Sequence, residues 1–370
     1  MAIRNLELGI WNRRFHIPNP AFLIALALSA SCAPAGAANS TLTAIDGIRV
    51  GHDTLAERPT GCTVVLFDGA ALAAGVSQRG SAPGTRDADQ LQPTSAVDRV
   101  NAIVLSGGSA FGLDTANGVM RWVDEHATDS RRPPSGGPGV PRGVDVPIVA
   151  SAVLSDLWVG GKPSIRPDAD CGYRAAGAAT TAPVQEGSVG AGAGATVGKI
   201  LGRERAMKGG LGSAAITLPN GLRVAAIVAV NPLGDVIDPS NGTVVAGARN
   251  DNGSLADVRK LLRSGAALQR TSADDNTTIA VVATNARLTK ADASRVATMA
   301  DDGIARTIAP AHTTADGDTV FAVATGGWSG TTDVTTVGAL AADVLADAIV
   351  RAVRSATSVA GIPAVRDLKR

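Results

Sequence analysis

The chain has 370 residues, of which 45% are hydrophobic and 18% are charged, and its formal net charge at pH 7 is +1. This apolar content is enough to bury a large core, which excludes a mostly disordered chain. Aromatic residues make up only 3% of the chain, and no long basic run occurs. The positive charge and the stacking side chains of a nucleic-acid-binding protein are therefore missing, and we exclude nucleic acid as a partner.

The first 38 residues have the three parts of an export signal. Arg13 and Arg14 form a basic region, residues 22–30 an apolar core, and residues 35–37, Ala-Gly-Ala, a small-residue cleavage site. The apolar run is far shorter than the roughly 18 to 20 residues that span a bilayer, which disfavours a membrane anchor. We therefore expect residues 1–38 to be removed from an exported protein, periplasmic or secreted, that is not attached to a membrane afterwards. The export route stays open.

The cysteines and histidines that follow this segment do not form a metal-binding motif. Cys62 and Cys171 are far apart, and the three histidines do not occur in a paired spacing. Because Cys62 opens an apolar strand, the sequence favours a buried thiol there over a disulfide. We expect neither a metal nor an organic cofactor.

Six short apolar runs rich in Val, Ile and Ala predict strands buried on at least one face. These runs cover residues 63–67, 102–105, 148–153, 214–218, 222–230 and 278–284. Asn220 and Gly221 separate two of the runs and predict a hairpin with a tight primed turn, because both residue types accept positive φ angles. Part of the sheet structure is therefore expected to be antiparallel.

Three amphipathic segments predict helices. One begins near Gly112, and two follow the capping residues Thr289 and Asp333. Strands layered between helices on two sides are the natural arrangement of these elements. Residues 129–145, crowded with Arg, Pro, Gly and Ser, predict a surface loop.

Two glycine-rich segments resemble known catalytic or binding loops without matching them. A phosphate-binding loop ending at Gly198-Lys199 would need Gly at position 193 and Ser or Thr at position 200, where the chain has Ala and Ile. The Gly107-Gly108-Ser109 turn follows a strand and precedes a helix, but it is not a G-x-S-x-G elbow. We interpret Ser109 as a helix-start or pocket-lining residue rather than as a nucleophile.

A polar turn leads directly into a buried strand at Asp274-Asp275-Asn276-Thr277. If the turn strains the peptide bond, the Thr277 hydroxyl can attack the Asn276 carbonyl, and hydrolysis of the resulting ester frees the Thr277 amine. An α-amino group has a pKa of about 7.7 to 8, so it can take the proton from the hydroxyl of its own residue near neutral pH. The same residues also suit an ordinary turn, and by themselves they leave both interpretations open.

Four stretches of the chain together form a distinctive pattern. They are residues 105–114 (LSGGSAFGLD), residues 190–199 with 208–212, residues 230–235 (VNPLGD), and residues 276–279 (NTTI) with 316–319 (DGDT). The pattern resembles the self-processing aminopeptidases of peptidase family S58, which include L-aminopeptidase/D-esterases, β-peptidyl aminopeptidases and nylon-oligomer (6-aminohexanoate-oligomer) hydrolases. With a threonine at the expected cut and a lysine at position 199, the chain resembles the nylon-oligomer hydrolase branch of this family more than the other branches.

The resemblance implies an α+β fold with four αββα layers, like that of N-terminal-nucleophile hydrolases. It also implies that the chain cuts itself between Asn276 and Thr277. The products would be a large piece, residues 39–276, and a small piece, residues 277–370, which together form one domain. Relatives of this kind are commonly tetramers of processed pairs, so a homotetramer is expected.

The resemblance assigns a role to each matching residue. Thr277 would be the nucleophile, and its new amine the base. The Asn231 amide would donate to the oxyanion, Lys199 would hold or polarise the nucleophile region, and Asp316 and Asp318 would orient the new ammonium and hydroxyl. Each residue also has a simpler interpretation from sequence: a turn before proline, a solvated lysine, and a common Asp-Gly-Asp turn.

The resemblance also implies that Gly107, Gly108 and Ser109 shape the pocket, with backbone N–H groups pointing inward. The activity expected is hydrolysis of small peptides with a free amino terminus through an acyl-enzyme. Endo-hydrolysis of 6-aminohexanoate oligomers is the nearest alternative. Acyl transfer to an amine, as in ornithine acetyltransferases, and an exported binding protein that never cuts itself are two further alternatives.

Overall fold

The structure of the protein is a computed structural model, and it describes residues 39–68, 73–97, 99–126, 146–265 and 276–368. The predicted export signal and the predicted loop at residues 129–145 lie outside the described residues. Asp274 and Asp275, which precede the expected cut, also lie outside them.

Fifteen strands, several of them very short, occur within the described residues. They are β1 (Ile48–Thr54), β2 (Gly61–Phe67), β3 (Ala73–Gln78), β4 (Thr85–Arg86), β5 (Ala102–Ser106), β6 (Val149–Val153), β7 (Thr196–Val197), β8 (Met207–Lys208), β9 (Gly210–Thr217), β10 (Arg223–Asn231), β11 (Asp235–Ile237), β12 (Val244–Ala246), β13 (Thr277–Thr284), β14 (Ile308–Ala309) and β15 (Thr319–Ala324). All six predicted strands are present, within a few residues of the predicted bounds.

Five α-helices are described: α1 (Thr115–Glu125), α2 (Ala169–Gly177), α3 (Val258–Arg263), α4 (Lys290–Thr307) and α5 (Val334–Ser355). Thr289 and Asp292 form a capping box at the start of α4, and the Asp333 carboxylate accepts the first N–H groups of α5, as predicted. The predicted helix near Gly112 begins as a 3-10 turn at Ser109 and becomes α-helical only at Thr115.

Two five-stranded sheets pack face to face. Their strand orders are β1-β2-β5-β6-β4 and β3-β15-β13-β10-β9. Val65 and Ile103 of the first sheet share one core with Ile227 and Val281 of the second sheet. Helices α1 and α2 cover the outer face of the first sheet, and α4 and α5 cover the outer face of the second. The fold is therefore the predicted four-layer αββα sandwich.

The predicted hairpin between β9 and β10 is present, but its turn differs from the prediction. Of the two central residues, only Gly221 has a positive φ, 85°. The Gly221 N–H donates to Leu218 O at 2.9 Å, and Leu218 N donates to Leu222 O at 2.8 Å. Pro219, whose ring fixes φ near −65°, occupies the first turn position and excludes the primed turn. The expected primed turn is therefore wrong, although the hairpin is confirmed.

The two cysteines form a disulfide that joins β2 to α2, with Cα atoms 6.4 Å apart. The expectation of a buried free thiol at Cys62 is therefore wrong. Helix α2 packs on β2 and brings Cys171 next to Cys62. The prediction failed because the apolar pattern of a single strand contains no information about the residues of a distant helix that packs on it. Both cysteines precede residue 276, so the disulfide does not join the two pieces that the expected cut would produce.

The expected cut lies inside the second sheet. Strand β13 starts at Thr277 and pairs with β10 on one side and β15 on the other. Residues before and after the cut therefore build one sheet and one core. Among the helices that the structure describes, none is both long enough and apolar enough to cross a membrane.

Candidate active site

The junction of Asn276 and Thr277 is buried at the first residue of β13. Asn276 has no exposed surface, and Thr277 is 5% exposed. Thr277 is paired with Asn231, the last residue of β10. On the other side, Asn276 forms a parallel bridge with Asp316. The Asn276–Thr277 junction, at the start of β13, is thus paired on both sides: with the end of β10 and with the segment at Asp316.

Two groups bind the carbonyl oxygen of Asn276. The Thr277 hydroxyl Oγ1 donates to it, and the Gly317 N–H donates to it at 3.0 Å. A Cβ atom at Gly317 would lie 2.8 Å from Thr277 Oγ1 and 2.4 Å from Ala82 O. Glycine is therefore required for this close approach. An N–H that already holds a carbonyl oxygen can stabilise the negative charge that develops when the carbonyl is attacked.

Lys199 is completely buried and fixes the side chain of Asn231. Its Nζ donates to Asn231 O at 2.9 Å, to Asn231 Oδ1 at 3.1 Å and to Thr196 O at 2.9 Å. The Thr196 N–H also donates to Asn231 Oδ1, at 2.9 Å. Because the amide oxygen is held by these donors, the Nδ2 end of Asn231 is directed away from them and donates to Ser155 O at 3.2 Å. The amide is thereby set as a donor.

Asp318 is buried beside the first residues of β13. Its Oδ1 accepts the Thr278 N–H at 2.7 Å, and its Oδ2 contacts His312 Nδ1 at 2.9 Å. The carboxylate therefore binds the backbone N–H of the residue that directly follows Thr277. This position suits a group that stabilises positive charge on a new amino terminus.

Asp316 connects the loop before β15 to the residues after β10. Its Oδ1 accepts the Leu233 N–H at 3.1 Å, and its Oδ2 accepts the Thr313 hydroxyl at 2.5 Å and the Thr313 N–H at 3.0 Å. Burial, and then the charge of Asp318, raise the pKa of Asp316. These contacts position the loop that carries Gly317 and Asp318.

His312 was not predicted as a site residue. Burial opposes its positive charge, but the hydrogen bond to Asp318 and the charges of Asp318, Asp301 and Asp316 outweigh burial and raise the pKa of His312. Its φ is 54°, a left-handed conformation that places the ring against Asp318. The only signal in the sequence was its position four residues before Asp316.

Asp301 is a second residue that was not predicted. It is 4% exposed on the buried face of α4, and its Oδ2 lies 3.6 Å from Arg79 Nε. Burial raises the pKa of Asp301 to about 6. The negative charge of Asp318 also raises this pKa, whereas the charge of His312 lowers it. The helical pattern of α4 did not distinguish this position, because an aspartate on a helix is usually solvated.

Within the described residues, no group of three or more His, Cys, Asp and Glu side chains is arranged to hold a metal ion.

The Gly107-Gly108-Ser109 turn is held by the protein itself. Gly107 N donates to Gly61 O at 2.9 Å and Ser109 N to Leu154 O at 2.9 Å, while Gly108 N donates to Asp156 Oδ1 at 3.0 Å. The expectation that N–H groups of Gly107 and Gly108 point into a pocket is therefore wrong. The buried Asp156 carboxylate, which also pairs with Arg58 at 2.7 Å, takes up the N–H of Gly108.

The structure thus gathers Thr277, Asn231 and Lys199 in one continuous set of contacts, with Asp316 and Asp318 on the other side of β13. The turn at 107–109 connects to this set indirectly, through residues 154–156. The arrangement has the parts of an acyl-transfer site: a buried hydroxyl against a carbonyl, an oriented amide donor, and a carboxylate bound to the N–H of Thr278, the residue after Thr277.

The fold is that of the N-terminal-nucleophile hydrolases. A β-aminopeptidase of Burkholderia sp. superposes with a TM-score of 0.60 at 23% identity, covering 86% of this chain and 87% of that chain. The L-aminopeptidase D-Ala-esterase/amidase of Ochrobactrum anthropi, described as a variant of the Ntn hydrolase fold, superposes with a TM-score of 0.60 at 19% identity, covering 86% of each chain.

The family model of peptidase family S58 matches residues 40–366, and the chain belongs to that family. An uncharacterized aminopeptidase of Mycobacterium tuberculosis strain H37Rv is 42% identical over 355 residues, covering 89% of this chain and 98% of the relative. A 6-aminohexanoate-oligomer endohydrolase of Paenarthrobacter ureafaciens is 29% identical over 325 residues, covering 83% of this chain and 84% of the relative. The protein is therefore a hydrolase of the peptidase type.

Proposed function

We propose that the chain cuts itself between Asn276 and Thr277, and that the new amino-terminal Thr277 then hydrolyses amide bonds in small peptides. The observation that carries this proposal is the double contact on Asn276 O, from the Thr277 hydroxyl and from the Gly317 N–H. A hydroxyl next to the carbonyl that it would attack, with a donor on the oxygen that would become negative, is the geometry of an N-to-O acyl shift.

The cut proceeds in two steps. The Thr277 Oγ bonds to the Asn276 carbonyl carbon, the peptide C–N bond breaks, and the hydroxyl proton passes to the Thr277 nitrogen, which leaves an ester and a free amine. Water then hydrolyses the ester, giving the Asn276 carboxylate and restoring the Thr277 hydroxyl. Gly317 stabilises the oxyanion of the first step, and Asp318 stabilises the amine once it is protonated.

Turnover of a substrate repeats this chemistry on another amide. The neutral Thr277 amine takes the proton of its own hydroxyl, Oγ attacks the substrate carbonyl, and the proton is passed to the leaving amine. The Asn231 amide, oriented by Lys199 and Thr196, donates to the oxyanion. Water attacks the resulting acyl-enzyme, with the Thr277 amine as base, and releases the acid product.

Small peptides with a free amino terminus are the substrates best supported, because the 42% identical relative and the two solved structures carry aminopeptidase names. Endo-hydrolysis of 6-aminohexanoate oligomers is the second candidate. It is favoured by the relatives of that name and by the threonine and buried lysine at positions 277 and 199. A panel of α-peptides, β-peptides and 6-aminohexanoate oligomers decides between the two.

The experiment that tests self-cleavage is electrophoresis of purified protein and matched variants. Scaled by residue count from the 37.0 kDa chain, the wild type gives pieces of about 24 and about 9 kDa. Thr277→Val keeps the shape of the side chain without the hydroxyl, and it should stay whole and inactive. Thr278→Val is the matched control, because the Thr278 hydroxyl has no hydrogen-bond partner among the described residues; this variant should be cut normally.

The outcomes separate the candidate functions. One intact wild-type band without activity would support a binding protein that keeps the fold, and a cut Thr277→Val chain would refute the assigned nucleophile.

We further propose that the protein works outside the cytoplasm, as a homotetramer of processed pairs. The disulfide between Cys62 and Cys171 supports export, because such bonds persist mainly in oxidising compartments. Cell fractionation with sequencing of the large piece tests the first proposal, with a start near residue 39 expected. Sedimentation of the processed protein tests the second.

A further inference from the structure

Lys208 is a buried cation to which the mechanism above gives no role. It is the last residue of β8, it has no exposed surface, and it pairs with Thr196 of β7. Its Nζ donates to Ala193 O at 2.8 Å and to Ala195 O at 2.7 Å, and more weakly to Gly192 O at 3.4 Å. Burying an ammonium costs free energy, which these bonds to a single turn of the backbone offset.

A buried carboxylate packs against the same turn. A Cβ atom at Gly194 would lie 2.5 Å from Asp156 Oδ2 and 2.5 Å from Pro59 O, so only glycine allows this approach. Asp156 is itself fixed by its ion pair with Arg58, at 2.7 Å. Burial lowers the pKa of Lys208 to about 7, whereas the negative charge of Asp156 raises it. Asp156 therefore helps to keep the ammonium charged near neutral pH.

One peptide unit connects Lys208 to Asn231. The Ala195 carbonyl and the Thr196 N–H belong to the same planar unit. Its oxygen accepts Lys208 Nζ at 2.7 Å and the Gly209 N–H at 2.8 Å. Its N–H donates to Asn231 Oδ1 at 2.9 Å. Because hydrogen bonds in a chain polarise one another, a cation on the carbonyl strengthens the bond that the N–H makes.

The strengthened bond acts on the proposed oxyanion donor. Bonds to the oxygen of the Asn231 amide make its nitrogen a stronger donor, for the same reason. Lys199 binds this oxygen directly, at 3.1 Å, and Lys208 acts on it through the peptide unit. Asn231 is paired with Thr277 in the sheet. Both lysines therefore favour negative charge on a carbonyl oxygen that Asn231 would bind.

We infer that Lys208 is a positioning residue for substrate hydrolysis, and that its positive charge acts through one peptide unit on the Asn231 amide. The inference rests on the proposed function, because this amide stabilises an oxyanion only if Thr277 attacks a substrate carbonyl.

The effect should be confined to turnover. The Lys208 side chain binds residues 192–195, whereas Gly317 would stabilise the oxyanion of the cut. Lys208→Met removes the ammonium and keeps an unbranched stem. The variant should be cut completely, its kcat should fall about tenfold, and its KM should stay within about twofold of wild type.

Lys290→Met is the matched control. The Nζ of Lys290 also donates to three backbone carbonyls, at 2.8, 2.7 and 2.6 Å, but these belong to Gln90, Ser95 and Val97. This variant should be cut and should keep the wild-type kcat. An equal fall in kcat in both variants, or an unchanged kcat in Lys208→Met, would overturn the inference.

A double variant shows whether Lys208 acts through the amide. In an Asn231→Ala background, Lys208→Met should change kcat by less than about twofold, because the group that it polarises is already gone. A further tenfold loss would show that Lys208 acts independently of Asn231. Lys208→Gln, which keeps N–H donors for the turn but no charge, replaces Lys208→Met if that variant does not fold. Its kcat should fall by a similar factor, and a wild-type kcat in Lys208→Gln would rule out a role for the charge.

A spectroscopic measurement separates failure of this inference from failure of the proposed function. Uncut Thr277→Val protein with ¹⁵N-labelled asparagine gives side-chain amide signals, and those of Asn231 are assigned by their loss in Asn231→Ala. Lys208→Met should move the Asn231 amide protons upfield, as expected for weaker hydrogen bonds, and Lys290→Met should leave them in place. Unmoved signals in Lys208→Met would refute the inference even in an active enzyme. A shift in a protein that hydrolyses no substrate would support the coupling and refute the proposed function.

Discussion

Single residues at the candidate site act mainly by fixing the direction of another group. Lys199 and Thr196 hold the oxygen of the Asn231 amide, and Gly317 holds the carbonyl of Asn276. Neither Lys199 nor Gly317 needs to move during the reaction. The proposed rate enhancement therefore depends on donors that are oriented before charge develops.

Replacing Asn231 by Ala tests the donor role directly. The variant removes the amide that would face the oxyanion, and kcat should fall about 10²-fold or more, as for other single oxyanion donors. Steady-state kinetics on the best substrate of the panel measures this. Near-normal kcat in a fully processed Asn231→Ala protein would remove the residue from the proposed mechanism.

His312 provides a test through pH. Its pKa is raised in the folded protein, so its contribution to stability is fully present below the unfolded pKa of about 6.5 and is lost as pH rises through the folded pKa. His312→Asn is the matched variant, because asparagine accepts a positive φ and keeps an N–H for Asp318. In an uncut Thr277→Val background, the loss of Tm caused by His312→Asn should be largest near pH 5.5 and shrink by pH 8.5. A loss that grows with pH would contradict the assignment.

At the scale of elements, the sequence predicted most of the main strands and helices, but apart from the β9–β10 hairpin it did not predict which of them pack or pair with one another. Apolar runs predicted β2, β5, β6, β9, β10 and β13, and capping residues predicted α4 and α5. The pairing of β13 with β15 and the packing of α2 on β2 join distant segments, which a local pattern does not encode. For the same reason the disulfide and His312 were missed, while Thr277, Asn231, Lys199, Asp316 and Asp318 came from a family pattern rather than from periodicity.

The disulfide between β2 and α2 belongs to this scale. It closes a sequence separation of 109 residues, and removal of a native disulfide of this kind costs about 2 to 4 kcal/mol of unfolding free energy. Cys62→Ser with Cys171→Ser, in the Thr277→Val background, should lower the urea midpoint accordingly. Because the bond lies far from β13 in the chain, the same pair in a wild-type background should still be cut at residue 276. An unchanged urea midpoint would show that the bond does not stabilise the fold.

For the whole molecule, the position of the proposed cut determines whether the two proposed pieces would stay together. Strand β13 begins the small piece and lies between β10 of the large piece and β15 of its own. Separating the pieces would expose the shared core of both sheets. They should therefore elute together in size-exclusion chromatography and separate only in denaturant; separate elution under native conditions would contradict this.

The measurement that tests the central proposal most directly is amino-terminal sequencing of the small piece from active protein. The proposed mechanism predicts a single sequence, Thr-Thr-Ile-Ala, starting at residue 277. Active protein whose fragments begin at any other residue, or which remains one uncut chain, would contradict it.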